Sequence, residues 1–215
     1  MAEKLENKLI TPYISDRFGN KIDLEGIKSL YFIRHARTDK EKNILNKEKP
    51  IAHELGNDLG YMNQSYCTNI IRTKQTLNEM GYYSPIEIQK LSHSIEDVNR
   101  NRNYKEIPFG ASFEEIQRSY KEDGSATKEL GDFHAAQWSK IMNCIKNGEK
   151  KILCTHDTRI EVALASLLND YVLGELGKSI NNLEGGVLFF NEKNEIESVG
   201  TIRRDHLGES TIYIR

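Results

Sequence analysis

Residues 31–40 read YFIRHARTDK, and this stretch decides the fold. Its first residues continue a short apolar run that begins at Leu30, which is typical of a strand buried in a parallel sheet. The run stops abruptly at Arg34 and His35, and another cation, Arg37, follows. In open α/β sheets the carboxyl ends of the strands are where ligands bind. We therefore expect these polar side chains to face a ligand.

A second stretch repeats this pattern. Residues 150–157 read KKILCTHD, an apolar strand that ends in His156 and Asp157. The carboxyl ends of parallel strands meet at one edge of the sheet, so we expect His156 to face His35 across one pocket. Arg72 follows a short strand that ends near residue 68, and we expect it to reach the same edge. Arginine and histidine side chains grouped in this way match a phosphate.

The order of elements predicts an α/β protein, a three-layer sandwich with a mostly parallel central sheet. Strands and helices alternate through most of the chain, and three further strands follow at GGVLFF, EIESVGTI and STIYIR. Residues 1–28 are predicted to form an N-terminal appendage of two short strands around the turn at 17–20. Residues 29–215 are predicted to form a single catalytic domain.

Composition excludes several classes of partner. The chain has 215 residues and a net charge of −2, so no overall basic field attracts nucleic acid or an anionic membrane. No apolar stretch reaches the ~20 residues of a membrane span. Cys67, Cys144 and Cys154 have no CxxC spacing, and we expect three core thiols in a reduced, cytoplasmic protein. A monomer or a homodimer is expected.

The sequence resembles the histidine phosphatase superfamily, which has the phosphoglycerate mutase-like fold. LYFIRHART matches the first motif of that family, an Arg-His-Gly-x-Thr/Ser sequence at the end of the first strand, with Ala36 in place of glycine. TNIIRTKQTL is similar to its second motif, ILCTHD to its late strand and histidine, and EIPFG, residues 106–110, to its Glu-x-x-Tyr/Phe-Gly element. Two further departures are Glu41, where many members have asparagine, and Asp157, which is typical of the acid-phosphatase branch.

The resemblance implies a role for each matching residue. His35 is the expected nucleophile, which forms a phosphohistidine. The phosphate would be bound by Arg34, Thr38, Arg72 and His156, at positions that match the motifs of the family. A carboxylic acid, either Glu106 or Asp157, would protonate the leaving alcohol, with a slight preference for Glu106. No metal ion and no cofactor are expected, and the partner is a small phosphorylated substrate.

Three functions remain open at this stage. The leading interpretation is a metal-independent phosphomonoesterase that acts on a small phosphate ester. A phosphomutase that uses the same residues is the nearest alternative, although the short segment 37–64 argues against the lid that would exclude water. A non-catalytic phosphate-binding protein is the third, and Ala36 and Glu41 give it some weight. No motif identifies the alcohol of the substrate.

Overall fold

The structure, a computed structural model, describes residues 13–15, 21–23, 27–94, 97, 110–122, 125–168, 173–204 and 210–214. The strands are β1 (Tyr13–Ser15), β2 (Lys21–Asp23), β3 (Lys28–Arg34), β4 (Gln64–Cys67), β5 (Ile86–Glu87), β6 (Lys150–Thr155), β7 (Gly185–Phe190), β8 (Ile196–Arg204) and β9 (Ser210–Ile214). The helices are α1 (Lys49–Leu59), α2 (Ile71–Glu79), α3 (Phe113–Lys121), α4 (Ala126–Met142) and α5 (Asp157–Leu167). Short 3-10 helices span Asn46–Glu48, Gln89–Ser92 and Leu173–Leu176.

Seven of these strands form the central sheet, in the order β5-β4-β6-β3-β7-β8-β9. The first four are parallel to one another. β7 is antiparallel to β3, and β8 and β9 continue the antiparallel pairing. Five of the seven strands (β3, β4, β5, β6 and β8) therefore run the same way, and the prediction of a mostly parallel sheet is confirmed.

Helices cover both faces of this sheet, because side chains alternate along its buried central strand. Leu30 and Phe32 of β3 point into one core, which α3, α4 and α5 cover. Tyr31 and Ile33 point into the other core, which α1 and α2 cover. A strand buried on both faces reads as a continuous apolar run, which explains the sequence pattern that predicted it. The three-layer sandwich is confirmed.

The helix boundaries follow local sequence signals. Ser112 and Glu115 form the expected capping box at the start of α3, since each side chain bonds the backbone N–H of the other. Gly81, with a φ of +87°, follows α2 and has the left-handed conformation that terminates many helices. α1 lies within the segment that we expected to be mostly loop.

Three expectations about burial were wrong. The apolar residues around position 71 predict that Ile71 lies on the buried side of α2, but it is 52% exposed, because it lies in the first turn, ahead of the buried Leu77 and Met80. His134 has no metal-ligand spacing to another histidine, which predicts a surface residue, but it is buried, because it shares a helical stripe with Leu130 and Trp138. Cys144 is exposed, since α4 ends two residues before it, whereas the other two cysteines are buried as expected.

Near the N-terminus, β1 and β2 pair as a two-stranded antiparallel sheet. This pairing confirms the two strands, while the turn at 17–20 lies outside the described residues. The division into an appendage at 1–28 and one domain at 29–215 stays a prediction, although β3 already begins at Lys28. Among the residues that the structure describes, no helix is long and apolar enough to cross a membrane.

Gly185 permits the close approach of β7 and β3. A Cβ atom at this position would overlap the Phe32 carbonyl oxygen, a backbone atom that cannot move aside cheaply. We predict that Gly185→Ala lowers the free energy of unfolding by about 1–3 kcal/mol, in the range of overpacked cores. Urea denaturation measures this change. The matched control is Gly174→Ala, whose Cβ would meet Glu114 Cβ at an ordinary 3.6 Å. Equal effects of the two substitutions would contradict the steric explanation.

Candidate active site

The site lies where adjacent parallel strands end and their following helices diverge. In the pairing of β3 with β6, Arg34 is the register partner of Thr155, so His35 and His156 are the next residues on each strand. The helix after β3, α1, packs on one face of the sheet, and the helix after β6, α5, packs on the other. Such a switch point opens a crevice at the carboxyl edge of an α/β sheet. The predicted meeting place of the two histidines is therefore built into the topology.

His35 is buried, with 8% of its surface exposed, and its ring is fixed by the backbone. Its Nδ1 lies 2.6 Å from the Ala36 carbonyl oxygen. Because a carbonyl oxygen only accepts hydrogen bonds, Nδ1 carries the proton, and Nε2 of the neutral ring keeps its lone pair. The His35 carbonyl in turn accepts a hydrogen bond from Asn182 Nδ2 at 2.7 Å. A neutral histidine needs an acceptor of this kind to fix its tautomer, and Ala36 supplies it.

Ala36, which replaces the glycine of the family motif, is fully buried. It is not among the residues with a positive φ, so its backbone does not require glycine. Its N–H donates to Thr76 Oγ1 at 3.0 Å, which ties the loop after β3 to α2. Glu41, the other departure, is exposed, and its N–H donates to Asp39 Oδ1 in a local turn.

His156 is also buried, with 4% exposed, and it has the opposite tautomer. Arg72 Nη2 lies 3.2 Å from His156 Nδ1. A guanidinium group can only donate, so Nδ1 accepts, and the proton of the neutral ring lies on Nε2, which is 3.5 Å from Thr68 Oγ1. The two imidazole rings meet edge to face with their centroids 4.9 Å apart.

Both histidines are held in the neutral form. The pKa of His35 is lowered to about 4, first by burial and then by the positive charges of the nearby arginines Arg72, Arg34 and Arg159, while the hydrogen bond to Ala36 acts in the opposite direction. Burial also lowers the pKa of His156 far below its ordinary value, with Arg159 and His35 as the next causes. At neutral pH the site therefore combines two uncharged imidazoles with several guanidinium groups.

Arg34 is held between the helix after β6 and a loop before β7. Its Nη1 donates to the Ile180 carbonyl oxygen at 2.7 Å, and its Nη2 forms an ion pair with Asp157 Oδ2 at 3.2 Å. Asp157 is the first residue of α5, where the positive end of the helix dipole favours a carboxylate. The helix N-cap is His156. Aspartate is a common N-cap residue, but Asp157 does not cap this helix, and its observed contact is with Arg34.

A third guanidinium group, Arg159, was missed by the sequence reasoning. It lies on α5, where its Nε donates to the His93 carbonyl oxygen at 2.8 Å and its Nη2 to the Ser92 carbonyl oxygen at 2.6 Å. Its charge lowers the pKa of both histidines, so it lies near the pocket. Its position three residues after His156, in the first turn of a helix at the sheet edge, was the available signal.

Two buried polar atoms at this edge have no hydrogen-bond partner within the described part of the chain. They are Arg72 Nε and Thr155 Oγ1. Unsatisfied buried donors are rare in proteins and are costly when they remain unpaired. A bound anion with several acceptor oxygens would supply the missing partner of the guanidinium group.

The structure does not connect the predicted site residue Thr38 to this cluster through a hydrogen bond, and it does not describe Glu106. Thr38 is half-buried and forms a bridge with Ile44, and within the described ranges no hydrogen bond joins its side chain to either histidine or to Arg34 or Arg72. Glu106 lies outside the described residues, so its role stays a prediction. Among the residues that are described, no group of three or more His, Cys, Asp or Glu side chains could hold a metal ion.

Asn182 and Thr76, which hold the backbone at His35 and Ala36, were also missed. Thr76 belongs to the Gln-Thr pair of the second motif, so a signal for it was present in the sequence. Asn182 lies in the loop before β7, and it reaches His35 only because β7 pairs with β3. No local pattern at residues 180–184 indicates that pairing.

Comparison with known proteins bears on the fold. No family model and no curated protein matches the sequence. Among solved structures, the chain is similar to phosphoserine phosphatase from Entamoeba histolytica, with 14% identity, 80% of this chain and 95% of that chain covered, and a TM-score of 0.53. A mycobacterial glucosyl-3-phosphoglycerate phosphatase matches with 13% identity and a TM-score of 0.53, and the match covers 79% of this chain and 93% of that chain. Phosphoglycerate mutase from Bacillus anthracis matches with 12% identity and a TM-score of 0.51, and the match covers 78% of this chain and 90% of that chain. The chain therefore has the fold of these proteins, the phosphoglycerate mutase-like fold.

Proposed function

We propose that this protein is a phosphomonoesterase that hydrolyses a small phosphate ester through a phosphohistidine at His35. One observation carries the proposal. The Nδ1–H of His35 is bonded to the Ala36 carbonyl, so Nε2 is unprotonated, and the charges of Arg34 and Arg72 act on the same ring. A neutral imidazole in an electropositive site is suited to attack phosphorus.

The reaction proceeds in two steps. In the first, His35 Nε2 forms a bond to phosphorus while the bond from phosphorus to the ester oxygen breaks, and a carboxylic acid gives its proton to the departing alcohol. In the second, water attacks the phosphohistidine after giving a proton to the same carboxylate. Inorganic phosphate leaves, and His35 returns to its neutral state.

The surrounding cations stabilise the phosphoryl group in transit. The transition state of phosphoryl transfer is loose and spreads negative charge over the equatorial oxygens. Guanidinium groups fixed before the reaction begins stabilise this charge without reorganisation. Arg34 and Arg72 are held in this way by Asp157 and His156, respectively. His156 would donate its Nε2 proton to a further phosphoryl oxygen in exchange for its long contact, 3.5 Å, with Thr68 Oγ1.

The proton donor is proposed to be Glu106, with Asp157 as the alternative. The Asp157 carboxylate already forms an ion pair with Arg34, which gives it a role in holding that side chain. Thr38 is retained as a proposed phosphate ligand because it stands at the last position of the Arg-His motif.

The similar structures support phosphate chemistry in general. The Entamoeba protein was solved in complex with 3-phosphoglyceric acid, and the mycobacterial phosphatase in complex with VO3. A mutase needs a lid that keeps water away from the phosphohistidine. We prefer hydrolysis because much of the segment 37–64 packs against the protein core and does not form such a lid. Its helix α1 packs into the core through Ala52 and Leu55.

The first prediction tests the nucleophile. Protein quenched in base during turnover of p-nitrophenyl phosphate should carry a phosphoryl group that is stable in base and is lost in acid. His35→Ala should lose both this label and at least ~1,000-fold in kcat, because no other lone pair takes its place. His53→Ala is the control, since His53 is exposed and lies on α1. Turnover by the His35 variant near the parental rate would exclude the mechanism.

The second prediction concerns pH. The reactive form of His35 is neutral, and its pKa is lowered to about 4. Activity that depends on this group should therefore persist as the pH falls from 7 to 5 and should decline only through about pH 4. The profile of kcat/KM, corrected for ionisation of the substrate near pH 6, measures this limb. A fall in the corrected kcat/KM between pH 7 and pH 6 would contradict this prediction, because the His35 ring would then titrate like an exposed histidine.

The third prediction assigns the proton donor. Loss of the true acid should slow alkyl phosphates far more than p-nitrophenyl phosphate, because p-nitrophenolate leaves without a proton. We expect Glu106→Gln to lower kcat for an alkyl phosphate by ~100-fold or more and to change p-nitrophenyl phosphate turnover by only a few-fold. Asp157→Asn should slow both substrates alike, since it loosens Arg34. If the leaving-group dependence appears in the Asp157 variant instead, the assignment passes to Asp157.

A further inference from the structure

Glu161 is a buried carboxylic acid that the proposed chemistry does not use. It lies on α5 with only 2% of its surface exposed. Its Oε1 accepts two hydrogen bonds, from the Ser179 hydroxyl at 2.6 Å and from the Ile180 backbone N–H at 2.9 Å. Burial raises the pKa of this carboxyl group. Burial of a carboxyl group is costly, and both hydrogen bonds to Glu161 come from one short loop before β7. The contacts of that loop therefore indicate what Glu161 does.

The loop leads directly to the proposed phosphate ligand. The peptide N–H of Ile180 binds Glu161, and the carbonyl of the same residue accepts the hydrogen bond from Arg34 Nη1 at 2.7 Å. Ile180 thus forms a one-residue bridge between the buried carboxyl group and the guanidinium group. The same loop continues to Asn182, whose side chain holds the His35 carbonyl at 2.7 Å.

Helix α5 therefore contacts Arg34 in two ways. Asp157 forms the direct ion pair with Nη2, and Glu161, one helical turn later, acts on Nη1 through Ile180. Residues four apart lie on the same face of a helix, so both acids face the side where Arg34 lies. The two contacts together fix both terminal nitrogens of the guanidinium group.

We propose that Glu161 is a positioning residue, which holds the Ile180 carbonyl so that Arg34 is fixed for binding the phosphate. This inference rests on the proposed function in one respect, namely that Arg34 binds the anion. It differs from a purely structural role, in which the two hydrogen bonds would stabilise the fold and leave the affinity for the anion unchanged.

The test is a double-substitution cycle on anion affinity, with orthovanadate as the probe and isothermal titration calorimetry as the measurement. The variants of the full chain are Glu161→Met, Glu161→Gln, Arg34→Ala and the combination of Glu161→Met with Arg34→Ala. Glutamine keeps an acceptor oxygen at the same reach, whereas methionine keeps the length and removes the acceptor. A cycle isolates the coupling between two residues because independent effects multiply.

We expect Glu161→Met to weaken orthovanadate binding by about tenfold and Glu161→Gln to bind within about threefold of the parent. In the Arg34→Ala background, Glu161→Met should change the affinity by less than twofold, because the group that it positions is gone. An equal loss in both backgrounds, or no loss in the parent, would overturn the inference. If Glu161→Met fails to fold, Ser179→Ala replaces it in the cycle, since it removes one of the two hydrogen bonds.

Tyr120→Phe is the matched control for stability. The Tyr120 hydroxyl donates to Asp132 at 2.6 Å and to Ser166 at 3.3 Å, and Ser166 lies at the far end of the same helix α5. This variant should lower Tm and leave the affinity for orthovanadate within twofold of the parent. A loss of affinity as large as that of Glu161→Met would show that general loosening of α5 explains both.

Turnover of p-nitrophenyl phosphate, measured on the same samples, separates the two proposals. A parent that binds orthovanadate with the expected cycle but hydrolyses nothing contradicts the proposed function and supports the role of Glu161. A parent that hydrolyses the ester but shows no coupling between Glu161 and Arg34 contradicts the inference alone. A parent that binds no orthovanadate contradicts the inference as well, since Arg34 then binds no such anion.

Discussion

The parallel pairing of β3 with β6 is the constraint on which the rest of the site depends. Its register places Arg34 beside Thr155, and a shift by one residue would turn every side chain of a strand to the opposite face. Such a shift would be prevented by the two cores, since alternate residues of β3 are buried on each side. The same burial that holds the sheet together therefore fixes the two histidines at one edge with rings 4.9 Å apart.

The site gathers positive charge in a place with little access to water. Burial of a guanidinium group is energetically unfavourable unless carbonyl oxygens or carboxylates accept its hydrogen bonds. The protein supplies these partners to Arg34 from Ile180 and Asp157, and to Arg159 from the carbonyls of residues 92 and 93. Most of these partners are neutral carbonyls, which orient the cations without cancelling their charge. A phosphate monoester is a natural complement to this arrangement.

Much of this could be predicted from the sequence, because the signals were local. The two strand ends, the helix with Arg72 and the capping box at Ser112 each depend on a few adjacent residues. Asn182 could not be found in this way, since it contacts a residue 147 positions away and depends on the antiparallel pairing of β7 with β3. His134 was misplaced for a different reason. A polar residue on a buried helical stripe is held there by tertiary contacts, here a hydrogen bond from its ring Nε2 to the His93 carbonyl, that composition does not indicate.

The two histidines come from equivalent positions, yet their surroundings give them different chemistry. The Ala36 carbonyl at Nδ1 of His35 places the proton there, which leaves the lone pair of Nε2 for attack. At His156 a cation, Arg72, occupies Nδ1 instead, so that ring has its lone pair engaged and its proton on Nε2. Burial, together with the positive charges of the nearby arginines, keeps both rings uncharged. One ring therefore keeps a lone pair on Nε2 and the other carries a proton there, and the difference arises from a single backbone carbonyl and a single guanidinium group.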